Sequence, residues 1–315
     1  MEQAQRIIDT MGTIVTLSIY HENPDPLLDH AENMLADFNE RFTTNADSSD
    51  LMQVNLASGK HPVKVDEDLF WLIKRAKEVS IASDGAFNLT IGPVVKLWHI
   101  GFDDADVPTD EEIQEKLALT DPEAVELNEE ELTVYLKKSG MEIDLGAIAK
   151  GYFADLIKTY FLENGVESGI VDLGGNVLTI GSSPTREDGK WRIGIQNPFK
   201  NRNEVLAVAA IEDISIVTSG IYERHFEKEG KNYHHIIDSQ TGYPTENDLA
   251  SVSIFSKESI DGEIWTTVMF VKNAEDAIAE ISKLSHLGGI VISKAGKMYM
   301  TANLSEMVEI VKPDK

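Results

Sequence analysis

Cysteine is absent from all 315 residues, which excludes thiol nucleophiles, disulfides and thiolate-bound metals and leaves the chain compatible with either redox compartment. Long apolar runs are absent as well, and no stretch approaches the roughly 18 residues of a membrane span. The opening residues, MEQAQRIID, carry neither a basic head nor an apolar segment, so no signal peptide is read in them. Positive charge is scarce. Only 28 Lys and Arg stand against 54 Asp and Glu, a net charge of −26. Such a chain repels a phosphate backbone or an anionic membrane surface unless a local basic patch intervenes, so nucleic acid is not an expected partner. An anionic small molecule remains compatible, provided a metal or helix N-termini offset its charge.

What is present belongs to a globular protein. Hydrophobic residues make up 42% of the chain, enough for one large domain or two intimately packed lobes. GTIVTLSIY at 12–20 alternates like a strand, and Leu28, Ala31, Leu35, Phe38 and Phe42 recur at helical spacing behind Pro26. A polar loop follows at 43–50, then a helix over about 66–82 with Leu69, Leu72, Ile73, Ala76 and Val79 on one face. The acidic stretch 103–131 reads as solvated loop and short helix. A helix from about Ala147 to Leu162 ends at Asn164-Gly165, after a strand-like 141–145. Segments 169–181, 191–196, 205–218 and 232–238 read as strands, 274–284 as a helix, and 288–301 as a hairpin turning at Ala295-Gly296. Strands and helices mix without βαβ alternation, so the expected class is α+β, mixed sheets with packed helices.

Four polar, Gly-rich stretches stand out: SDGAFNLTIGP at 83–93, DLGAIAKGY at 144–152, DLGGN at 172–176 and VTSGIYERHFEKEGKNYHHIID at 217–238. Glycine costs backbone entropy and persists where a backbone approaches something closely, so four such places suggest an extended ligand. Gly-Ala-Ile-Ala-Lys-Gly at 146–151 opens a helix, where exposed N–H groups and Lys150 suit a phosphate; a structural turn is the competing reading. DLGGN reads equally as a strand-end turn. His234 and His235 cannot both face one site on a strand, because neighbouring side chains alternate; one packs, and the other, near Asp238, serves as base or ligand contact. Asp261, Glu263, Thr266 and Thr267 form a hard-oxygen cluster suited to Mg²⁺, although Asp and Thr also cap helices.

In this order the segments resemble the ApbE-type flavin transferases, the FAD:protein FMN transferases. The resemblance runs from MGT at 11–13 through SDLMQVN at 49–55, SDGAFNLTIGPVVKLW at 83–98, MEIDLGAIAKGYFAD at 141–155 and SGIVDLGGN at 168–176. It continues through WRIGIQNP at 191–198, VTSGIYERHF at 217–226 and HHIIDSQTGYP at 234–244 to DGEIWTT at 261–267. It implies a single domain over residues 1–315, with two closely associated lobes and FAD in the cleft between them. It also implies Mg²⁺-dependent transfer of the FMN moiety of FAD to a Thr or Ser hydroxyl of an acceptor protein, with release of AMP. Met11, Asn45, Ala86, Phe87, Asn88, Asp144, Lys150 and Ile236 look like FAD contacts. The carbonyl of Ala147 and the side chains of Glu263 and Thr267 look like Mg²⁺ ligands, and His235 like the proton acceptor.

Two departures from the family pattern matter. Glu263 stands where the family usually has Asp, with Asp261 as the rival ligand, and Asn88 replaces a common Asp. The same residues also suit a Mg²⁺-dependent FAD pyrophosphatase, in which water replaces the acceptor hydroxyl, or a flavin-binding module without turnover. The resemblance implies an extracytoplasmic, lipoprotein-type location and a membrane-associated redox protein as acceptor.

Overall fold

The computed structural model describes residues 2–201 and 204–311. In chain order it begins with strands β1 (Glu2–Thr10) and β2 (Thr13–His21), helices α1 (Asp25–Phe42) and α2 (Asp50–Leu56), β3 (Val63–Lys64) and α3 (Glu67–Ala82). There follow α4 (Gly92–Trp98), α5 (Asp110–Leu117), β4 (Val125–Asn128), β5 (Thr133–Leu136), α6 (Ala149–Glu163), β6 (Ser168–Leu173), β7 (Asn176–Ile180) and β8 (Trp191–Gln196). The last part holds β9 (Val205–Ile211), β10 (Ser215–Gly220), β11 (His225–Lys228), β12 (Lys231–His234), β13 (Leu249–Ser256) and α7 (Ser259–Phe270). It closes with α8 (Ala274–Ile281), β14 (Gly288–Ser293), β15 (Met298–Met300) and β16 (Val308–Ile310). None of the helices among the described residues is long and apolar enough to cross a membrane.

The chain divides into two compact units. The first comprises Met1–Asp37, Lys150–Gly220 and Asp248–Lys315; the second comprises Phe38–Ala149 and Ile221–Asn247. An eight-stranded antiparallel sheet, ordered β1-β2-β6-β7-β10-β13-β14-β15, and a three-stranded sheet, β16-β9-β8, build the first unit. Its core includes Trp191, Ile195, Ile211, Ile216, Phe255 and Ile290. Helix α7 packs on β10 and β13, and α8 on β14. The second unit carries the small sheets β3-β5-β4 and β11-β12, with Val94, Trp98, Ile100 and Ile113 packed against aromatics such as Phe226 and Tyr233. Sheets and helices are mixed throughout, so the α+β class holds.

Long amphipathic segments follow their periodicity. Leu28, Ala31, Leu35, Phe38 and Phe42 are buried along α1, and α3 buries Leu69, Phe70, Leu72, Ile73, Ala76 and Val79. Asp66 starts α3 by accepting a hydrogen bond from the Leu69 N–H at 2.9 Å. Several expected boundaries shift. Segment 169–181 is two strands joined by Gly174-Gly175, and 205–218 is two strands in different sheets. Strand β12 stops at His234, and 235–238 is irregular apart from a bridge between Ile237 and Pro244.

The strand-like 141–145 is no strand. Its backbone is held instead by the Asn55 side chain, which accepts from Ile143 N at 2.7 Å and donates to Ile143 O at 3.0 Å. Seven strands, β1, β3, β4, β5, β11, β13 and β16, were not read in the sequence, β4 lying inside the 103–131 stretch expected as loop and short helix. Half-exposed β1 is rich in Glu and Gln, whereas β13 is buried at every position and so does not alternate.

The β6–β7 turn also fixes its neighbour. Gly174 has φ +70° and lies against Thr13, where an added Cβ would overlap the Thr13 hydroxyl. Gly174→Ala combines left-handed strain with overpacking, an expected cost on the order of 2–4 kcal/mol. Urea unfolding of the variant checks this.

Candidate active site

Lys150 sits in the first turn of α6 and Glu263 on α7, and they form an ion pair at 3.0 Å. Glu263 is buried, with 5% of its surface exposed. A buried carboxylate needs more than one donor, and Asn176, at the start of β7, supplies the second at 2.8 Å. The Asn176 carbonyl oxygen accepts from the Ser259 hydroxyl at 2.6 Å, which settles which end of the amide faces Glu263. Ser259 in turn receives the Ser215 hydroxyl at 3.0 Å. A continuous polar chain therefore runs Ser215, Ser259, Asn176, Glu263 and Lys150 inside the first unit.

Helical geometry adds Thr267 one turn beyond Glu263 on the same face. Its hydroxyl donates to the Glu263 carbonyl at 3.1 Å, as Thr266 does at 3.0 Å. A hydroxyl that donates its hydrogen backward along the helix keeps oxygen lone pairs available. Carboxylate and hydroxyl oxygens one turn apart fit a hard divalent cation such as Mg²⁺. Asp261 lies two residues from Glu263 and so points to another side of α7. Among the described residues no cluster of three or more His, Asp or Glu side chains is set to hold a metal by itself.

Helix α6 reaches α7 closely because residue 151 is glycine. A Cβ there would lie 2.6 Å from Ile260 Cα and from the Ser259 carbonyl oxygen. The glycines of this segment thus answer to the chain's own packing, which weakens the inference from glycine content to a ligand. The phosphate-cradle reading of 146–151 is qualified in the same way. Gly146 N–H bonds to the Asp144 carboxylate at 2.7 Å, and the N–H groups of Ile148 and Ala149 bond to the Leu145 carbonyl.

In the second unit the 83–90 loop is pinned by side chains. Ser83 Oγ accepts from Phe87 N at 3.1 Å, Ser80 Oγ from Leu89 N at 2.9 Å, and the Ser239 hydroxyl donates to Gly85 O. Asn88 Oδ1 accepts from both the N–H and the hydroxyl of Thr90, at 2.9 and 2.7 Å. Phe87 is buried, whereas Ala86 and Asn88 are partly exposed. Asp144 is tied to this loop through its N–H, which donates to Leu89 O at 2.9 Å. Burial pushes the Asp144 carboxyl above its ordinary value, against the Gly146 N–H, Lys96 and Arg224, with Glu142 reinforcing the rise.

The two histidines are clearly distinguished. His234 is buried, with Nε2 3.1 Å from Thr245 O and Nδ1 accepting from Ile236 N at 3.3 Å. It is a packed structural residue. His235 is partly exposed, and its Nδ1 lies 3.2 Å from Arg224 O. A carbonyl only accepts, so in the neutral ring Nδ1 carries the hydrogen and Nε2 the lone pair. Ile236 follows in the same segment, and its carbonyl accepts from Thr245 N at 2.9 Å.

Asn45 lies on the exposed 43–48 loop. Met11 occupies the β1–β2 turn at φ +53°. The expected residues thus fall into two sets: Met11, Lys150, Glu263 and Thr267 in the first unit, and Asn45, Ala86, Phe87, Asn88, Asp144, Ala147, His235 and Ile236 in the second. Sequence reasoning missed Asn176 as the partner of Glu263 and Ser259 as the partner of Asn176. Asn176 stood in view within DLGGN, but nothing in its spacing tied it to residue 263.

The ApbE family description matches residues 11–291. The chain is 41% identical over 284 residues to an FAD:protein FMN transferase of Klebsiella pneumoniae, an alignment covering 90% of this chain and 87% of that protein. It is 34% identical to an FAD:protein FMN transferase of Treponema pallidum, over 96% of this chain and 87% of the relative. Among solved structures, the ApbE protein of Thermotoga maritima superposes with a TM-score of 0.90 at 27% identity, covering 97% of this chain and 99% of that one. The flavin transferase ApbE of Vibrio cholerae gives 0.84 at 27% identity, with the same coverage of both chains.

Replacing Asn176 by Leu keeps comparable volume but removes the amide donor to Glu263 and the acceptor for Ser259. The loss leaves two buried polar groups short of a partner, an expected cost on the order of 2–4 kcal/mol. Chemical unfolding of the folded variant measures it.

Proposed function

The chain belongs to the ApbE family, and on that footing we propose that it is an FAD:protein FMN transferase working through the residues described above. The observation that carries the reading is the carboxylate–hydroxyl pair, Glu263 and Thr267, on one face of a helix in a chain that aligns with this family over residues 11–291. In the reaction, a Thr or Ser hydroxyl oxygen of the acceptor protein attacks the FMN-side phosphorus of FAD. The bond from that phosphorus to the bridging oxygen breaks, AMP leaves, and the FMN phosphate becomes a phosphodiester on the acceptor.

His235 Nε2 accepts the hydroxyl proton, while the bond from Nδ1 to Arg224 O orients the ring and favours the imidazolium that forms. Lys150 supplies positive charge toward the pyrophosphate. Met11, Asn45, Ala86, Phe87, Asn88, Asp144 and Ile236 complete the proposed FAD contacts. Asn88 serves without the family's negative charge, because its Oδ1 holds Thr90 as a carboxylate oxygen would. Glu263, Thr267 and the Ala147 carbonyl would hold Mg²⁺, whose charge offsets that of the pyrophosphate when it is bound. In a chain of net charge −26, few other groups offset that charge. The acceptor is a membrane-associated redox protein and the location extracytoplasmic, readings supported by the family resemblance alone.

His235→Ala is expected to leave FAD bound and to slow transfer by roughly 10²–10⁴-fold, read by mass spectrometry of a flavinylated acceptor. A native transfer rate in this variant excludes His235 as the base. His234→Ala is not a silent control, since it removes a buried ring engaged at both nitrogens; it lowers stability instead.

Chelation of divalent metal should abolish transfer and added Mg²⁺ restore it. Glu263→Gln should raise the Mg²⁺ concentration required more than Asp261→Asn does. The reverse order assigns the metal to Asp261.

A further inference from the structure

Helix α7 lacks a cap of its own. Its first N–H groups need partners, yet Glu258 at the N-cap position makes no side-chain hydrogen bond to them. The partner comes from another helix. Asp155 on α6 accepts from Ser259 N through Oδ1 at 2.8 Å and from Ile260 N through Oδ2 at 2.9 Å. Asp155 lies one turn beyond Gly151 on the same face, and Gly151 is the residue whose missing side chain lets α6 approach Ser259 and Ile260. Ser259 is held twice, by its N–H to Asp155 and by its hydroxyl to Asn176. Asn176 in turn holds Glu263. Asp155 is therefore linked to Glu263 by the α7 backbone and by the path through Ser259 and Asn176.

We propose that Asp155 is a positioning residue for the transfer reaction: its carboxylate clamps the start of α7 and so holds Glu263 and Thr267 in place for the metal. This rests on the assignment of Glu263 and Thr267 as the metal pair. A charged carboxylate suits the positive end of a helix. A protonated one loses its charge, and one of its oxygens becomes a hydroxyl, so the two-point clamp weakens.

The local charges place that loss within an accessible pH range. Burial raises the Asp155 carboxyl to about 6 from its ordinary 3.8, opposed by the Ser259 and Ile260 N–H groups and by Lys158, and reinforced by Glu258. Lys158 is itself paired with Asp213 at 2.7 Å. Because the folded value lies above the unfolded one, the folded chain takes up this proton first. Acidification through the window from about 6 to 3.8 therefore adds stability from this group while it loosens the clamp. Metal binding and stability move in opposite directions, which a merely structural cap would not produce.

A rate profile alone does not isolate Asp155, since protonating His235 also stops transfer. The full chain labelled with ¹⁵N-isoleucine and ¹⁵N-threonine gives a direct readout. The amide signals of Ile260 and Thr267 are expected to titrate together near pH 6 in the native protein, and neither does so in Asp155→Asn. Mg²⁺ titration of the FAD-loaded protein at pH 7.5 should show at least a tenfold weaker apparent affinity in Asp155→Asn, without loss of stability in urea. Titration of Ile260 with Thr267 unmoved, or native Mg²⁺ affinity in the variant, overturns the proposal. If Asp155→Asn does not fold, the joint titration of the two native amides decides it. A native protein that transfers no FMN while both amides titrate together refutes the proposed activity and leaves the clamp standing.

Discussion

The close crossing of α6 and α7 is the constraint on which the first unit's site depends. It exists because Gly151 lacks a side chain facing Ser259 and Ile260, and a methyl group there would push the helices apart by more than packing tolerates. With the helices this close, a single stretch of α6 delivers two polar groups to α7. Lys150 reaches the Glu263 carboxylate, and Asp155 takes the first two backbone N–H groups. Glu263 is buried and Asp155 partly so, and each of these carboxylates is matched by fixed partners. Glu263 takes an ammonium and an amide, and Asp155 takes two peptide N–H groups. Such pairing gives geometric definition more than net stability, since the cost of desolvating the charges offsets most of their attraction.

The second unit secures its irregular segments differently, with side chains standing in for a backbone ladder. Asn55 bonds both backbone groups of Ile143, Ser80 and Ser83 hold the 87–89 backbone, and Ser239 holds Gly85. Loops fixed in this way keep their backbone polar groups satisfied without joining a sheet. That is how SDGAFNLT and MEIDLGA, neither a helix nor a strand, present residues in a set conformation. The hydrogen bonds of His235 belong to the same style. Its ring and its N–H both meet Arg224 O, so the loop, and not a strand register, orients the imidazole.

The long amphipathic helices, the 288–301 hairpin and the α+β class were legible in the sequence because burial on one face leaves a periodic mark. Collinear motifs placed the chain in its family and named Lys150, Glu263, Thr267 and His235. The spacing of four between Glu263 and Thr267 already put them on one helix face. The different parts of His234 and His235 were expected from alternation along a strand, but β12 ends at His234, so the difference comes from the loop that follows.

Tertiary structure alone decided what those residues touch. Residues 176 and 263 are 87 positions apart and 155 and 259 are 104 apart, and no local pattern encodes a bond across such distances. The sheet topology that sets β7 beside β10, with α7 packed on both strands, brings Asn176 to Glu263, whereas the close crossing of α6 and α7 at Gly151 brings Asp155 to Ser259. Strand β13 was invisible because burial on both sides removes alternation, and 141–145 misled because an asparagine side chain imitates a neighbouring strand. The sequence by itself determined which chemical groups are available and which helix faces carry them. Only the packed structure determined which histidine is structural and which nitrogen of His235 holds the lone pair. It also determined which carboxylate caps a helix and which faces Lys150, because each of those depends on a partner supplied by a distant part of the chain.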